Sequence, residues 1–556
     1  MNYPERRILF IGLDGADLTY MRPWLDEGKL PNIARLVEDG ALMPLASTIC
    51  PFTNVAWPAL FTGKNPGKTG STDITLRKIG SHAIYPATLR QVQTEPFWVY
   101  LGEHDLRTLV INVPMVYPPH PLKGLVITGL DTPERAPNYA WPDDIQEQLE
   151  QREYRANILN PQHMIAIWSS THRRSLDQKT YLEACQALTQ NTITQTSRLL
   201  AEQKWDVAFI GYHPADFVNH YTANEAAHLQ VYQMADELVG RLIDQVGDEA
   251  TIILASDHGS RQTGRCVGLA RLFADMGLMS FKPVVATEVI PWIISAGLPR
   301  RLSGPSVLKA VERIWDSLPE WLQRLLSWLP LKLYPGWAHY YSNIDWSKTR
   351  AYVASGSGMI YINRSDVLPD GTVAPGPEYE ALRDRLIASL GEIRDPITQK
   401  PVFRVHRTED IWHGPWIDAA APDLILSLAE ECHWIRQADA RGRAFWDEEE
   451  GASGGIHRSV GTLILRGEGI KKGVTLAGAN ILDVTPTLLY LMKIPLPLEL
   501  DGKLIKSALR PDFLKQHPIQ MAAHARPDTY NPDETAYTEE DVESVLAKLR
   551  GLGYIE

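Results

Sequence analysis

Five short runs rich in β-branched and aliphatic residues constrain this chain more than any other feature. They are RILFIGL (Arg7–Leu13), RTLVINV (Arg107–Val113), VAFIGY (Val207–Tyr212), TIILAS (Thr251–Ser256) and GTLILRG (Gly461–Gly467). Apolar runs of this length that do not alternate with polar residues are strands buried on both faces, and the helical patterns between them supply the covering layers. The sequence therefore predicts an α/β fold with a central, mostly parallel sheet and helices on both sides.

At 556 residues the chain is too long for one ordinary core, which points to a large α/β domain with embellishments or to two or three packed units. A composition that is 44% hydrophobic and 22% charged is that of a soluble globular protein, and a net charge of -12 argues against non-specific nucleic-acid binding. The four cysteines, Cys50, Cys185, Cys266 and Cys432, form no CxxC pair, so neither a disulfide framework nor a sulfur-ligated metal site is expected. The N-terminal MNYPERRILFIGLDGAD reads as a buried strand rather than a signal peptide. No stretch approaches the ~20 apolar residues that span a bilayer, and a cytoplasmic setting is expected.

Between Ala223 and Gly247 the apolar residues fall near helical spacing, so VAFIGY and TIILAS read as a βαβ unit. DVTPTLLYLM (Asp483–Met492) reads as a further helix with Asp483 as its N-cap. The tryptophan- and proline-rich stretch 289–346 differs in character. It is read as part of a helical cap on the main sheet, with a membrane contact through 289–336 as the lesser alternative. The expected organisation is a core in two parts, 1–265 and 346–511, a helical cap at 266–345, and a C-terminal tail with a short helix at 512–556.

Ligands of open parallel sheets bind beyond the carboxyl ends of the strands. Asp14 follows the first run; Asp216, with His220 four residues on, follows the third; Asp257 and His258 follow the fourth. His457 sits between a glycine-rich loop and the fifth run. One aspartate at a strand end is more often a cap or turn former than a ligand, but this set suits zinc, or manganese, and can supply two ions with three ligands each. Two ions about 4 Å apart clamp the attacking and leaving oxygens of an in-line displacement. Thr53, directly before NVAWPALF, is placed like a hydroxyl nucleophile at a helix start, with Thr48, Thr62 and Thr69 as competitors by composition. Gly63–Thr69 spells GKNPGKT, one residue short of a P-loop.

In their order and wording GLDGAD, TNVAWPALFTGKNPGKTG, PADFVNH, ASDHG and GGIHRSVGTLILRG resemble the type I phosphodiesterase/nucleotide pyrophosphatase family of the alkaline phosphatase superfamily. The resemblance implies an alkaline-phosphatase-like fold, with one ion held by Asp14, Asp257 and His258 and the other by Asp216, His220 and His457. It makes Thr53, nine residues before Thr62-Gly63, the nucleophile contacting both ions. The chain departs from the family at Thr69, where a histidine is common, and at Ile74, next to Asp73, where nucleotide pyrophosphatases carry a phosphate-holding asparagine. The expected function is a two-metal phosphoric-ester hydrolase working through a phosphothreonine on a small phosphate ester or nucleotide-like substrate. A phosphomutase and a non-catalytic metal-stabilised scaffold are the alternatives. A sulfatase is disfavoured, because Cys50-Pro51 lacks the rest of a CxPxR sequence.

Overall fold

The computed structural model describes residues 6–523, except 152–176, 283–343 and short breaks at 79, 83, 93, 134–135, 137, 264, 354–357, 418–420, 430–433, 437–443 and 448–453, together with Val542 and Val545. The strands of its two larger sheets, and of a ribbon at the edge of the site, are β1 (Ile8–Leu13), β2 (Ala41–Ala46), β3 (Thr108–Val113), β4 (Gly124–Thr128), β5 (Ala140–Trp141), β6 (Val207–Tyr212), β7 (Thr251–Ala255), β8 (Gly259–Thr263), β9 (Ala351–Val353), β10 (Met359–Ile362), β11 (Phe403–Arg407), β12 (Leu424–Leu428), β13 (Gly454–Arg458), β14 (Val460–Arg466), β15 (Val474–Thr475) and β16 (Ala479–Asn480).

The central sheet runs β15-β2-β14-β7-β1-β6-β3-β4-β5, with β16 also on β2. Only β14, antiparallel to β2 and β7, and β5, antiparallel to β4, oppose the common direction. β1 shows why the predicted runs lack polar positions. Ile8 and Phe10 pack into the layer containing Trp57, Phe97 and Phe209, whereas Leu9, Ile11 and Leu13 pack into the layer containing Trp24, Tyr232 and Leu242. With both faces covered, a polar side chain on either would be stranded away from water.

VAFIGY and TIILAS are joined through a helix, as expected, but β1 lies between them: Ile8 pairs with both Val207 and Thr251. The connecting helix (Glu225–Val246) starts at Asn224, whose side chain accepts from the amides of Ala226 and Ala227. Its buried stripe includes Val231, Ala235, Leu238 and Leu242. The helix expected from Asp483 spans Val484–Leu491, but Asp483 makes no cap bond to it. Asp483 closes a short 3₁₀ turn, Ile481–Asp483, and its carboxylate instead accepts from the amides of Asn480 and Lys503.

Residues 351–428 build a separate antiparallel sheet, β9-β10-β12-β11, before the chain rejoins the central sheet at β14. Its core is shared with Cys50, Tyr117 and Phe217, so it packs beside the loop that carries Thr53. Most of the expected cap at 266–345, including the stretch 289–336, lies outside the described residues, as does most of the tail beyond 523. Val545 is buried in the core of the second sheet. Among the described residues no helix is long and apolar enough to cross a membrane.

Candidate active site and metal centre

The ends of β1, β6 and β7 deliver their polar residues to one place because the three strands are neighbours in parallel register. Asp14 follows β1 and its amide donates to the carbonyl of Tyr212, the last residue of β6. Gly15, at φ 66°, turns the chain so closely over the helix that follows β6 that a Cβ there would lie 2.9 Å from the Cβ of Asp216. That helix, α1 in the site, spans Pro214–Tyr221, opens on a proline that fits the first helical turn, and places Asp216 and His220 on one face. Asp257 and His258 occupy the turn between β7 and β8, and His457 lies on β13, opposite Ser260 in the β8–β13 ribbon.

All seven residues expected from the sequence converge, and all are buried or nearly so. Asp216, His220 and His457 form one group of potential ligand atoms; Asp14, Asp216 and His258 form another. Asp216 thus faces both groups, a sharing that a division into two separate triads lacks. Asp257 Oδ2 lies 3.3 Å from His258 Nε2.

The histidine tautomers follow from their backbone partners. His457 Nδ1 donates to the Pro51 carbonyl at 2.9 Å and His258 Nδ1 to the Gly259 carbonyl at 3.0 Å. In its neutral form each ring therefore turns the Nε2 lone pair inward. His457 Nε2 lies 3.4 Å from Asp216 Oδ1 and 3.1 Å from His220 Nε2. His258 Nε2 lies 3.6 Å from Asp14 Oδ1.

The electrostatics of these groups follow from their burial and their closeness to one another. Burial, reinforced by the adjacent negative charge of Asp14, pushes the Asp257 carboxyl well above the usual range. Burial also acts to raise Asp216, but the positive charge that His220 and His457 carry when protonated, with the hydrogen bonds they then donate, outweighs it and holds that carboxyl well below the usual range. Burial, with His457 beside it, lowers His258 to about 4. Asp14 Oδ1 and Asp257 Oδ2 are buried with no hydrogen-bond partner among the described residues. Inward lone pairs and unbonded carboxylate oxygens fit divalent cations better than they fit one another.

Thr53 is the first residue of a second site helix, α2 (Thr53–Thr62), and is 3% exposed. Its Oγ1 lies 3.4 Å from His258 Nε2. The rival threonines are engaged elsewhere: Thr62 bonds the Pro58 carbonyl at the far end of α2, Thr48 the Cys50 carbonyl and Thr69 the Pro66 carbonyl. Ile74 is fully buried in the apolar core, and Asp73 accepts from the amide of Ile74.

Sequence reasoning missed His213. Its Nδ1 lies 2.8 Å from Asp14 Oδ2 and its Nε2 donates to the Asn112 carbonyl, which fixes the carboxylate from behind. The signal was present, since His213 directly follows a buried run as the other site residues do. Asp17 was also passed over; it accepts from the Ser260 amide and from Arg458, tying the β1 turn to both strands of the ribbon.

A family model for type I phosphodiesterase/nucleotide pyrophosphatase matches residues 8–457. A search of curated proteins returns no match. Among solved structures, an inactive variant of murine ectonucleotide pyrophosphatase/phosphodiesterase 5 in complex with AMP is similar at TM-score 0.50 and 11% identity, over 91% of this chain and 100% of that one. The human protein of the same name gives TM-score 0.50 and 11% identity over the same shares. Phosphonoacetate hydrolase from Sinorhizobium meliloti in complex with phosphonoacetate gives TM-score 0.52 and 13% identity over 87% and 95%. At such identities the structures speak for the fold, and the match over 8–457 speaks for the family: this chain belongs to the type I phosphodiesterase/nucleotide pyrophosphatase family, phosphoryl hydrolases of the alkaline phosphatase superfamily.

Proposed function

We propose that the chain is a two-metal phosphoric-ester hydrolase with Thr53 as its nucleophile. The observation that carries this reading is the 3.4 Å approach of Thr53 Oγ1 to His258 Nε2 at the first turn of a helix, inside a ring of carboxylates and imidazoles. The ligands would be Asp14, Asp257 and His258 for one ion and Asp216, His220 and His457 for the other, with Asp216 facing both. Two divalent ions, zinc first and manganese second, would supply the positive charge that lowers the hydroxyl pKa and offsets charge developing on phosphorus-bound oxygens.

The chain's own residues account for the rest. Thr53 Oγ gives up its proton to solvent and attacks phosphorus in line, the new Oγ–P bond replaces the bond to the leaving oxygen, and that oxygen leaves with its electron pair and takes a proton from solvent. A water then attacks the phosphothreonine, the Oγ–P bond breaks with a proton from that water restoring the Thr53 hydroxyl, and phosphate departs, or a phosphate monoester where the substrate was a diester. The start of α2, where Thr53 stands, would favour the negative charge of the attacked phosphoryl group. The AMP and phosphonoacetate bound by the two neighbours support a small phosphate ester or phosphonate as substrate.

The test compares bis(p-nitrophenyl) phosphate with p-nitrophenyl phosphate on metal-stripped protein given zinc or manganese. Turnover restored by metal and lost by about 10³-fold or more in Thr53→Ala, at unchanged metal content, supports the reading. Turnover that survives in Thr53→Ala removes Thr53 from its role.

A further inference from the structure

His457 reaches the centre from a ribbon, whereas Asp216 and His220 come from helix α1, so something must fix the separation of these two elements. Asn219, between the two helical ligands, is fully buried. Gln262 on β8 donates from Nε2 to both the Asn219 carbonyl, at 2.5 Å, and Asn219 Oδ1, at 2.8 Å. Across the ribbon Gln262 pairs with Gly455, two residues before His457. A Cβ on Gly455 would lie 1.9 Å from Asn219 Nδ2 and 2.2 Å from its Cγ. The Asn219 amide therefore lies directly against the α-carbon of Gly455, closer than any side-chain-bearing residue permits.

Two further facts point the same way. Asn219 Nδ2 and Gln262 Oε1 are both buried with no hydrogen-bond partner among the described residues. An amide left partly unbonded at such a contact is held there by packing, an arrangement that native folds rarely keep without a use. The contact also lies on the short path to His457, whose own Nδ1 is already committed to Pro51. The ring can adjust little by rotation, so its reach toward Asp216 depends on how near β13 lies to α1.

We infer that Asn219 and Gly455, locked by Gln262, are positioning residues that set the distance from His457 to the Asp216–His220 pair and so determine the affinity of that metal site. The inference rests on the two-metal reading above.

The test is a double-mutant cycle on the full chain. Zinc affinity is measured for each equivalent against a competing chelator, and the visible spectrum of the cobalt-substituted protein reports ligand geometry. Gly455→Ala is expected to weaken one equivalent about ten- to a hundredfold and to alter the cobalt bands, while the other equivalent stays as in the parent. In an Asn219→Ala background, where the opposing amide is gone, the same change is expected to have under about a threefold effect and to leave the cobalt bands unmoved. Equal losses in both backgrounds, or no loss in the parent background, overturn the inference. If Gly455→Ala does not fold, Asn219→Ala alone decides: the lock requires about a tenfold weaker equivalent, and parent affinity overturns it. A parent protein that binds fewer than two zinc equivalents overturns the two-metal reading itself, whereas two equivalents with an indifferent Gly455→Ala overturn only the positioning.

Discussion

His457 Nδ1 lies 2.9 Å from the carbonyl oxygen of Pro51, two residues before Thr53. One hydrogen bond thus fixes the tautomer of a proposed metal ligand and tethers the loop that presents the proposed nucleophile. His457→Ala removes the inward nitrogen and this tether together. Zinc content measured by elemental analysis is expected to fall from two equivalents toward one, with kcat on an aryl phosphate down by about 10²- to 10³-fold. Two retained equivalents would exclude His457 as a ligand.

His213 acts on Asp14 from behind and touches no proposed substrate position. His213→Asn can keep a donor near the Nδ1 position, whereas His213→Leu cannot. The leucine variant is expected to lose about ten- to a hundredfold in affinity for one zinc equivalent, with the asparagine variant retaining most of it. Equal affinity in both variants would show that the bond to Asp14 carries no weight.

Gly15 combines φ 66° with the 2.9 Å approach to Asp216. Ala at this position meets both the left-handed backbone and the crowded carboxylate. Gly15→Ala is expected to cost about 2–4 kcal/mol in urea unfolding, and to weaken zinc binding, because the displaced groups are the proposed ligands. A loss below about 0.5 kcal/mol would show that the turn relaxes freely.

The strands and most of the proposed ligands' positions were legible in the sequence for the same reason. Burial on both faces imposes uninterrupted apolar runs, and the parallel sheet puts whatever follows them at one edge. Val207–Tyr212 matches its observed strand at both ends, and Asp14, Asp216 and Asp257 were found by position alone. What escaped depends on neighbours distant in sequence. β14 is antiparallel because its partners are β2 and β7, and its own residues carry no mark of direction. Asp483 resembles a cap, yet its carboxylate is claimed by Asn480 and Lys503. The sharing of Asp216 between two ligand groups, and the fit of Asn219 against Gly455, arise only when α1, β8 and β13 meet.

Away from the site, His120 offers a pH dependence whose sign can be worked out. Its Nε2 accepts from Trp98 Nε1 at 2.7 Å, and its Nδ1 is buried with no hydrogen-bond partner among the described residues. Burial lowers its pKa from 6.5 to about 4. Protonation would place a hydrogen on Nε2 and break the bond from Trp98, so the folded state resists it while the unfolded chain accepts the proton near pH 6.5. The stability contributed by the neutral ring is thus fully present above about pH 6.5 and is lost as the pH falls toward 4, at up to about 1.4 kcal/mol per pH unit and about 3 kcal/mol in all. Other groups titrate in this window, so the readout is a difference. His120→Gln keeps an acceptor for Trp98 and cannot be protonated, and its urea-unfolding free energy is expected to decline less than the parent's between pH 7 and 4 by about that amount. Parallel curves for the two proteins would place the acid sensitivity elsewhere.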